Sequence, residues 1–196
     1  MAREDPGMAR GERLIKPVSI PINKKFREDC AYYAHIIVED SFQNGMKSRF
    51  GSGGFFKHYV GKMGEMAFFK FCMQEGIAVK HIPFREGYAD LNERDDFVVI
   101  IHNVERIIEV KTAVLKDLKL DKELRLFYNE KQYNDKSDHN YIVVFAATNK
   151  QLTQIALLGW IPASEIKKYP VRKDIVSPAY AIPLKDLRDM RLFVEG

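Results

Sequence analysis

Apolar residues along this chain fall into two spacings, and each predicts a kind of element. From 24 to 42, Phe26, Cys30, Tyr33, Ala34, Ile37 and Val38 recur at three- and four-residue steps, the pattern of an amphipathic helix that Asn44-Gly45 would stop. A second helix is predicted over 58–74. Its segment 66–73 is apolar nearly all round, which predicts burial. Glu65 lies beside Phe68, Phe69 and Cys72 at the edge of that apolar surface, where a carboxylate needs a partner or a task. Gly76 then stops the helix and 77–82 reads as a strand.

Beyond a polar loop at 83–94, the spacing changes to that of a hairpin. Two runs rich in β-branched residues, 97–101 and 107–110, flank a polar interruption at 102–105. Residues 141–147 and 155–161 are two further buried strands, and short helices are predicted at 127–135 and 164–169. An extended piece at 179–182 and a small helix or turn at 184–193 close the chain. The order helix, helix, three strands, helix, two strands predicts an α/β (α+β) layer domain with a mixed sheet.

Composition narrows the picture only modestly. The 196 residues are 46% hydrophobic and 30% charged, enough for one core, so a single domain over 17–196 is expected behind a polar tail at 1–16. Two well-separated cysteines in helix-like settings suggest neither a disulfide framework nor a zinc set, which leads to the expectation of a reducing, cytoplasmic setting. No apolar run approaches the roughly 20 residues a membrane helix needs. The net charge of +4 is compatible with a polyanionic partner without demanding one.

Within that frame, the hairpin region 95–112 carries the candidate chemistry. Asp95 or Asp96 opens its first strand, and Glu109 and Lys111 stand in its second, where a plain core would have Val or Ile. As a string, acid, any residue, lysine is uninformative: 27 acids and 19 lysines in 196 residues give about three such tripeptides by chance, and there are three. Only Glu109-Val110-Lys111 lies in an apolar strand, where residues two apart share a face. A turn centred on Asn103-Val104 would set Asp96 opposite Lys111 and diagonal to Glu109; a shift by one gives that place to Asp95. Two carboxylates suit Mg²⁺, with Mn²⁺ as substitute, and a neighbouring lysine can hold a water or offset charge on a phosphorane-like transition state. A structural ion pair, with Glu65 capping something nearby, is the competing reading. No glycine-rich phosphate loop and no nucleophile elbow is present, which disfavours nucleotide-driven and covalent hydrolase chemistry.

Taken together, Gly64-Glu65 in a helix, Asp96 opening a strand, Glu109-Val110-Lys111 in the next and Gln132 in a short helix resemble the PD-(D/E)XK nuclease superfamily. The resemblance covers about 59–147, and Asp95 stands where the family's name has proline. It implies a restriction-endonuclease-like fold, a central mixed β-sheet flanked by helices. It also implies Asp96, Glu109 and the Val110 carbonyl as metal ligands, Lys111 as the catalytic lysine, Glu65 as the helix acid and Gln132 as a supporting residue. The implied activity is Mg²⁺-dependent hydrolysis of DNA in preference to RNA, by a possible homodimer. Lys47, Arg49, Lys57 and Lys62, interleaved with aromatics, and Lys167 and Lys168 near Arg172 and Lys173 are the expected phosphate contacts. The leucine-bearing stretch 115–126 is the expected interface. A non-catalytic nucleic-acid-binding or assembly module on the same fold is the alternative.

Overall fold

A computed structural model describes residues 15–43, 54–82, 97–118, 120–121 and 123–195. Residues 1–14 of the predicted tail, the basic residues Lys47 and Arg49, and the Asp95-Asp96 doublet lie outside the described residues. The elements are β1 (Val18–Ile20), α1 (Lys24–Gln43), α2 (Gly54–Gln74), β2 (Ala78–His81), β3 (Phe97–Ile101), β4 (Val104–Leu115), β5 (Arg125–Asn129), α3 (Glu130–Asn134), β6 (Ile142–Asn149), β7 (Ile155–Pro162), β8 (Val171–Arg172), β9 (Ala179–Pro183) and α4 (Leu192–Glu195). Short 3-10 helices occupy Ala163–Lys168 and Leu184–Asp186.

Six strands form a mixed sheet in the order β1-β7-β6-β4-β3-β2, and β5-β9-β8 form a smaller antiparallel one. Every neighbouring pair in the large sheet is antiparallel except β4 with β6. A parallel pair needs a crossover, and the chain between β4 and β6 provides it through β5 and α3. Strand alternation then sorts the side chains into two cores. Ile108 and Val110 of β4 join Val144, Phe97, Val99 and the α2 residues Met63, Phe68 and Phe71 in the first. Val143 and Phe145 of β6 join Leu126, Tyr128, Tyr133 and Ile182 in the second, on the opposite face. Trp160 is 8% exposed in the first core.

The predicted helices at 24–42 and 58–74 are present, the first capped by the Asn23 side chain, which accepts from the Phe26 amide at 2.8 Å. No described helix is long and apolar enough to cross a membrane. Three predictions need correction. The stretch 127–135 is not one helix: Arg125–Asn129 pairs with β9 as a strand and only Glu130–Asn134 is helical. The leucines of the expected interface pack within the chain, since Leu126 is in the second core and Leu115, Leu118, Leu120 and Leu124 pack against it. The hairpin turn is His102-Asn103, with φ of +49° and +63°, so Ile101 pairs with Val104 and Phe97 with Ile108, two residues out of the predicted register. A two-residue turn of this type needs positive φ at both central positions, which Asn tolerates and β-branched Val104 resists.

The close approach of α2 to β4 depends on Gly64. A Cβ there would lie 1.9 Å from Thr112 Oγ1 and 3.1 Å from Thr112 Cβ. Gly64→Ala should therefore push α2 off the sheet, costing about 1–3 kcal/mol of overpacking against a helix-propensity gain of about 1 kcal/mol. Thermal unfolding should show a lowered midpoint, partly restored by adding Thr112→Ala.

Candidate active site

Glu109 and Lys111 occupy the odd-numbered face of β4, turned toward β5 and α3 and away from α2. Strand parity put them on one face, as the sequence predicted, although β4 runs on to Leu115 instead of ending there. Glu109 is 2% exposed, an unusual position for a carboxylate. The chain satisfies it completely. On Oε1, Glu109 pairs with the Lys111 ammonium and accepts from Gln132 Nε2 at 2.8 Å. On Oε2 it accepts from Lys136 Nζ at 2.8 Å and from the Tyr128 hydroxyl. Lys111 Nζ also donates to Gln132 Oε1 at 3.0 Å, closing a ring of three side chains.

Each partner is held by its own element. The Asn129 side chain caps α3 by accepting from the Gln132 amide at 2.9 Å, which fixes the first turn that carries Gln132. Lys136 lies four residues after Gln132 and lays its ammonium 4.0 Å from the centre of the Tyr141 ring. Tyr128 is fully buried, with its hydroxyl 3.0 Å from that of Tyr141. Tyr128, Tyr141 and Lys136 are the members the sequence reading missed. The place of Tyr128 is hidden in the sequence, where its strand reads as part of a helix.

Burial works to raise the Glu109 carboxyl, but the charges of Lys111 and Lys136 and their hydrogen bonds outweigh it and hold the group below its ordinary 4.5. Burial and the adjacent Glu109 charge both push the Tyr128 phenol up, so it stays a donor. The sign of the linkage follows. A depressed carboxyl contributes stability that is fully present above the unfolded value and is lost as pH falls through the folded one. Wild-type protein should thus lose stability below about pH 4.3, the unfolded glutamate value. Acid titration followed by circular dichroism should show a smaller loss in Glu109→Gln over that range.

The other predicted site residues are not all brought here. Glu65 pairs with Lys62, one helical turn away, and sits near Cys30 of α1. Because α2 packs on the even-numbered face of β4, against Thr112, the sheet separates Glu65 from Glu109. Lys62, expected to grip phosphate, is 4% exposed and engaged with Glu65. Lys57, Lys167 and Lys168 are exposed, Lys168 pairing with Glu165 at 3.2 Å. Among the described residues, no cluster of three His, Cys, Asp or Glu side chains is placed to hold a metal ion. In kind, Glu109 and the Val110 carbonyl suit Mg²⁺ as hard oxygen donors. The four acceptor positions of Glu109 are already filled, so a metal there requires at least one of these four donors to withdraw. Comparison of the chain with protein-family models, curated proteins and solved structures found no match.

Proposed function

We propose that this protein is a Mg²⁺-dependent nuclease of the PD-(D/E)XK class, with a restriction-endonuclease-like fold, that hydrolyses phosphodiester bonds in DNA. The observation that carries this reading is the ring of Glu109, Lys111 and Gln132, three residues named by the resemblance, two on β4 and one on α3, joined by direct hydrogen bonds and an ion pair. The mixed sheet with α2 on one face and α3 within the crossover between parallel β4 and β6 is consistent with it.

In this reading Glu109 and the Val110 carbonyl would hold Mg²⁺ together with Asp96, which is bonded to Phe97, the partner of Ile108 beside Glu109. When bound, the metal supplies Lewis-acid stabilisation to a phosphate oxygen and lowers the pKa of a water. Lys111 holds the attacking water or neutralises charge on the phosphate oxygens. Gln132 bonds both Glu109 and Lys111 and keeps their spacing, and Tyr128 anchors the far oxygen of the carboxylate. Lys57, Lys167 and Lys168 contact the DNA backbone, and exposed Phe55 and Phe56 at the start of α2 offer stacking surfaces. DNA is favoured over RNA because the resembled superfamily acts mostly on DNA, and cutting both strands of a duplex favours a homodimer.

The test is cleavage of duplex, junction, flap and single-stranded DNA with and without Mg²⁺ or Mn²⁺. Metal-dependent products from at least one substrate are expected; none from any of them at millimolar metal would overturn the proposal. A second reading, a non-catalytic nucleic-acid-binding or assembly module, is favoured by the complete satisfaction of Glu109 within the chain. Mn²⁺ binding that disappears in Asp96→Asn speaks for the enzyme, and no binding at millimolar Mn²⁺ speaks for the module.

A further inference from the structure

A cleft of about 240 Å³ opens where β4 and β6 begin and β7 ends. Its walls include Ile107, Tyr141 and Trp160, and its polar lining includes Arg106, Arg188 and His139. Arg188 is held in place from three directions. Its backbone exchanges hydrogen bonds with Trp160 at 2.8 and 2.9 Å, its guanidinium lies 4.7 Å from the centre of the indole, and Nη2 bonds Glu165 Oε1 at 2.7 Å. The exchange requires a close approach that only glycine allows at 159, where φ is +152° and a Cβ would stand 2.6 Å from the Arg188 carbonyl oxygen.

The electrostatics of the cleft favour an anion. Glu165 balances Arg188, whereas Arg106 has no ion-pair partner among the described residues, so the lining carries an uncompensated guanidinium. The His139 ring, in the wall of the cleft, is fixed by stacking on Tyr133 with ring centroids 3.9 Å apart. Exposed Asn140 and Ser164 add an amide and a hydroxyl. The volume equals about eight water molecules at liquid density, the scale of a phosphate with its pentose and far below that of a duplex.

We infer that this cleft binds the phosphate and pentose of a nucleotide, with the two arginines on the phosphate and the base lying across the mouth. The ligand is either a free nucleoside monophosphate or the phosphorylated end of a DNA strand. The strand-end form rests on the nuclease reading: Ile107 stands two residues before Glu109 on the same face, about 7 Å along β4, so a seated strand end extends toward Glu109.

Trp160 is the single tryptophan of the chain, so its fluorescence reports on this cleft alone. Metal-free protein should be titrated with dAMP, with a 5′-phosphorylated oligodeoxynucleotide, and with the same oligodeoxynucleotide lacking the phosphate. A saturable response to dAMP is expected, as is a preference of the oligodeoxynucleotide for its phosphorylated form. A response to dAMP without one to either oligonucleotide assigns the cleft to free nucleotide; a response to both phosphorylated ligands assigns it to strand ends as well. Arg106→Gln and Arg188→Gln should each weaken binding about tenfold or more. The Arg106 side chain has no hydrogen bond or ion pair among the described residues, so Arg106→Gln stays decisive if Arg188→Gln unfolds. The inference is overturned if no phosphorylated ligand gives saturation at millimolar concentration, if the oligonucleotide binds equally well with and without its phosphate, or if Arg106→Gln binds as wild type. Because the titration needs neither metal nor cleavage, its failure is distinct from failure of the nuclease reading.

Discussion

If the proposed nuclease reading holds, Lys111→Ala protein is expected to fold and to have lost Mg²⁺-dependent DNA cleavage by a factor on the order of 10²–10³ or more. Its fold should survive because Glu109 keeps Lys136, Gln132 and the Tyr128 hydroxyl after the change. Lys111 is also the more exposed of the two ammonium groups, its side chain 26% exposed against 12% for Lys136, so its loss opens little space. The expected stability cost is about 1–3 kcal/mol, the range for removing one partner of a charged hydrogen bond. Cleavage at the wild-type rate by folded Lys111→Ala protein would remove Lys111 from any catalytic role.

Glu109→Ala is expected to give the largest loss of stability of any change in the cluster. The carboxylate accepts from two ammonium groups, an amide and a phenol in a nearly dry site. Its removal leaves two like charges facing a void and the Tyr128 donor without its acceptor. Breaking such a buried pair from one side costs about 3–5 kcal/mol. For a chain of this length that corresponds to a fall in thermal midpoint of about 10 °C. Glu109→Gln keeps the volume and one acceptor, and should fall between Glu109→Ala and wild type. A midpoint unchanged in Glu109→Ala would show that the cluster contributes nothing to the fold. Comparing the two experiments also separates the two readings of the site: in a purely structural cluster Lys111→Ala loses stability without losing a metal-dependent activity.

The sequence was most legible where the physics is local. The helices at 24–42 and 58–74 and the strands at 97–101, 141–147 and 155–161 were visible as periods of three to four or as apolar runs, and each has its counterpart in the structure. Legibility failed where a neighbour in space decided the conformation. Arg125–Asn129 carries no clean alternation, yet it is a strand because β9 supplies a partner across Tyr128 and Tyr180. The short β1 and the bulge around Gly159 likewise exist through their pairing with β7 and β6. The turn at His102-Asn103 is an intermediate case, because the aversion of Val104 to positive φ was in the sequence and would have set the register.

For the candidate site, the sequence by itself determined that Glu109 and Lys111 share a face, since strand parity requires nothing beyond the strand. It also determined that Glu65 needs a partner, because its position on an apolar helix is a local property. Only the tertiary structure decided which layer covers each face of β4. That choice gave Glu109 the phenol of Tyr128 and the ammonium of Lys136, placed Glu65 against Lys62 on the other side of the sheet, and buried Lys62 out of reach of any phosphate. The reason is physical: alternation along a strand assigns residues to two faces without saying what either face will meet. A carboxylate in a dry layer takes whatever donors the facing layer brings, and those come from β5, α3 and the segment just after α3, well beyond the reach of any local pattern.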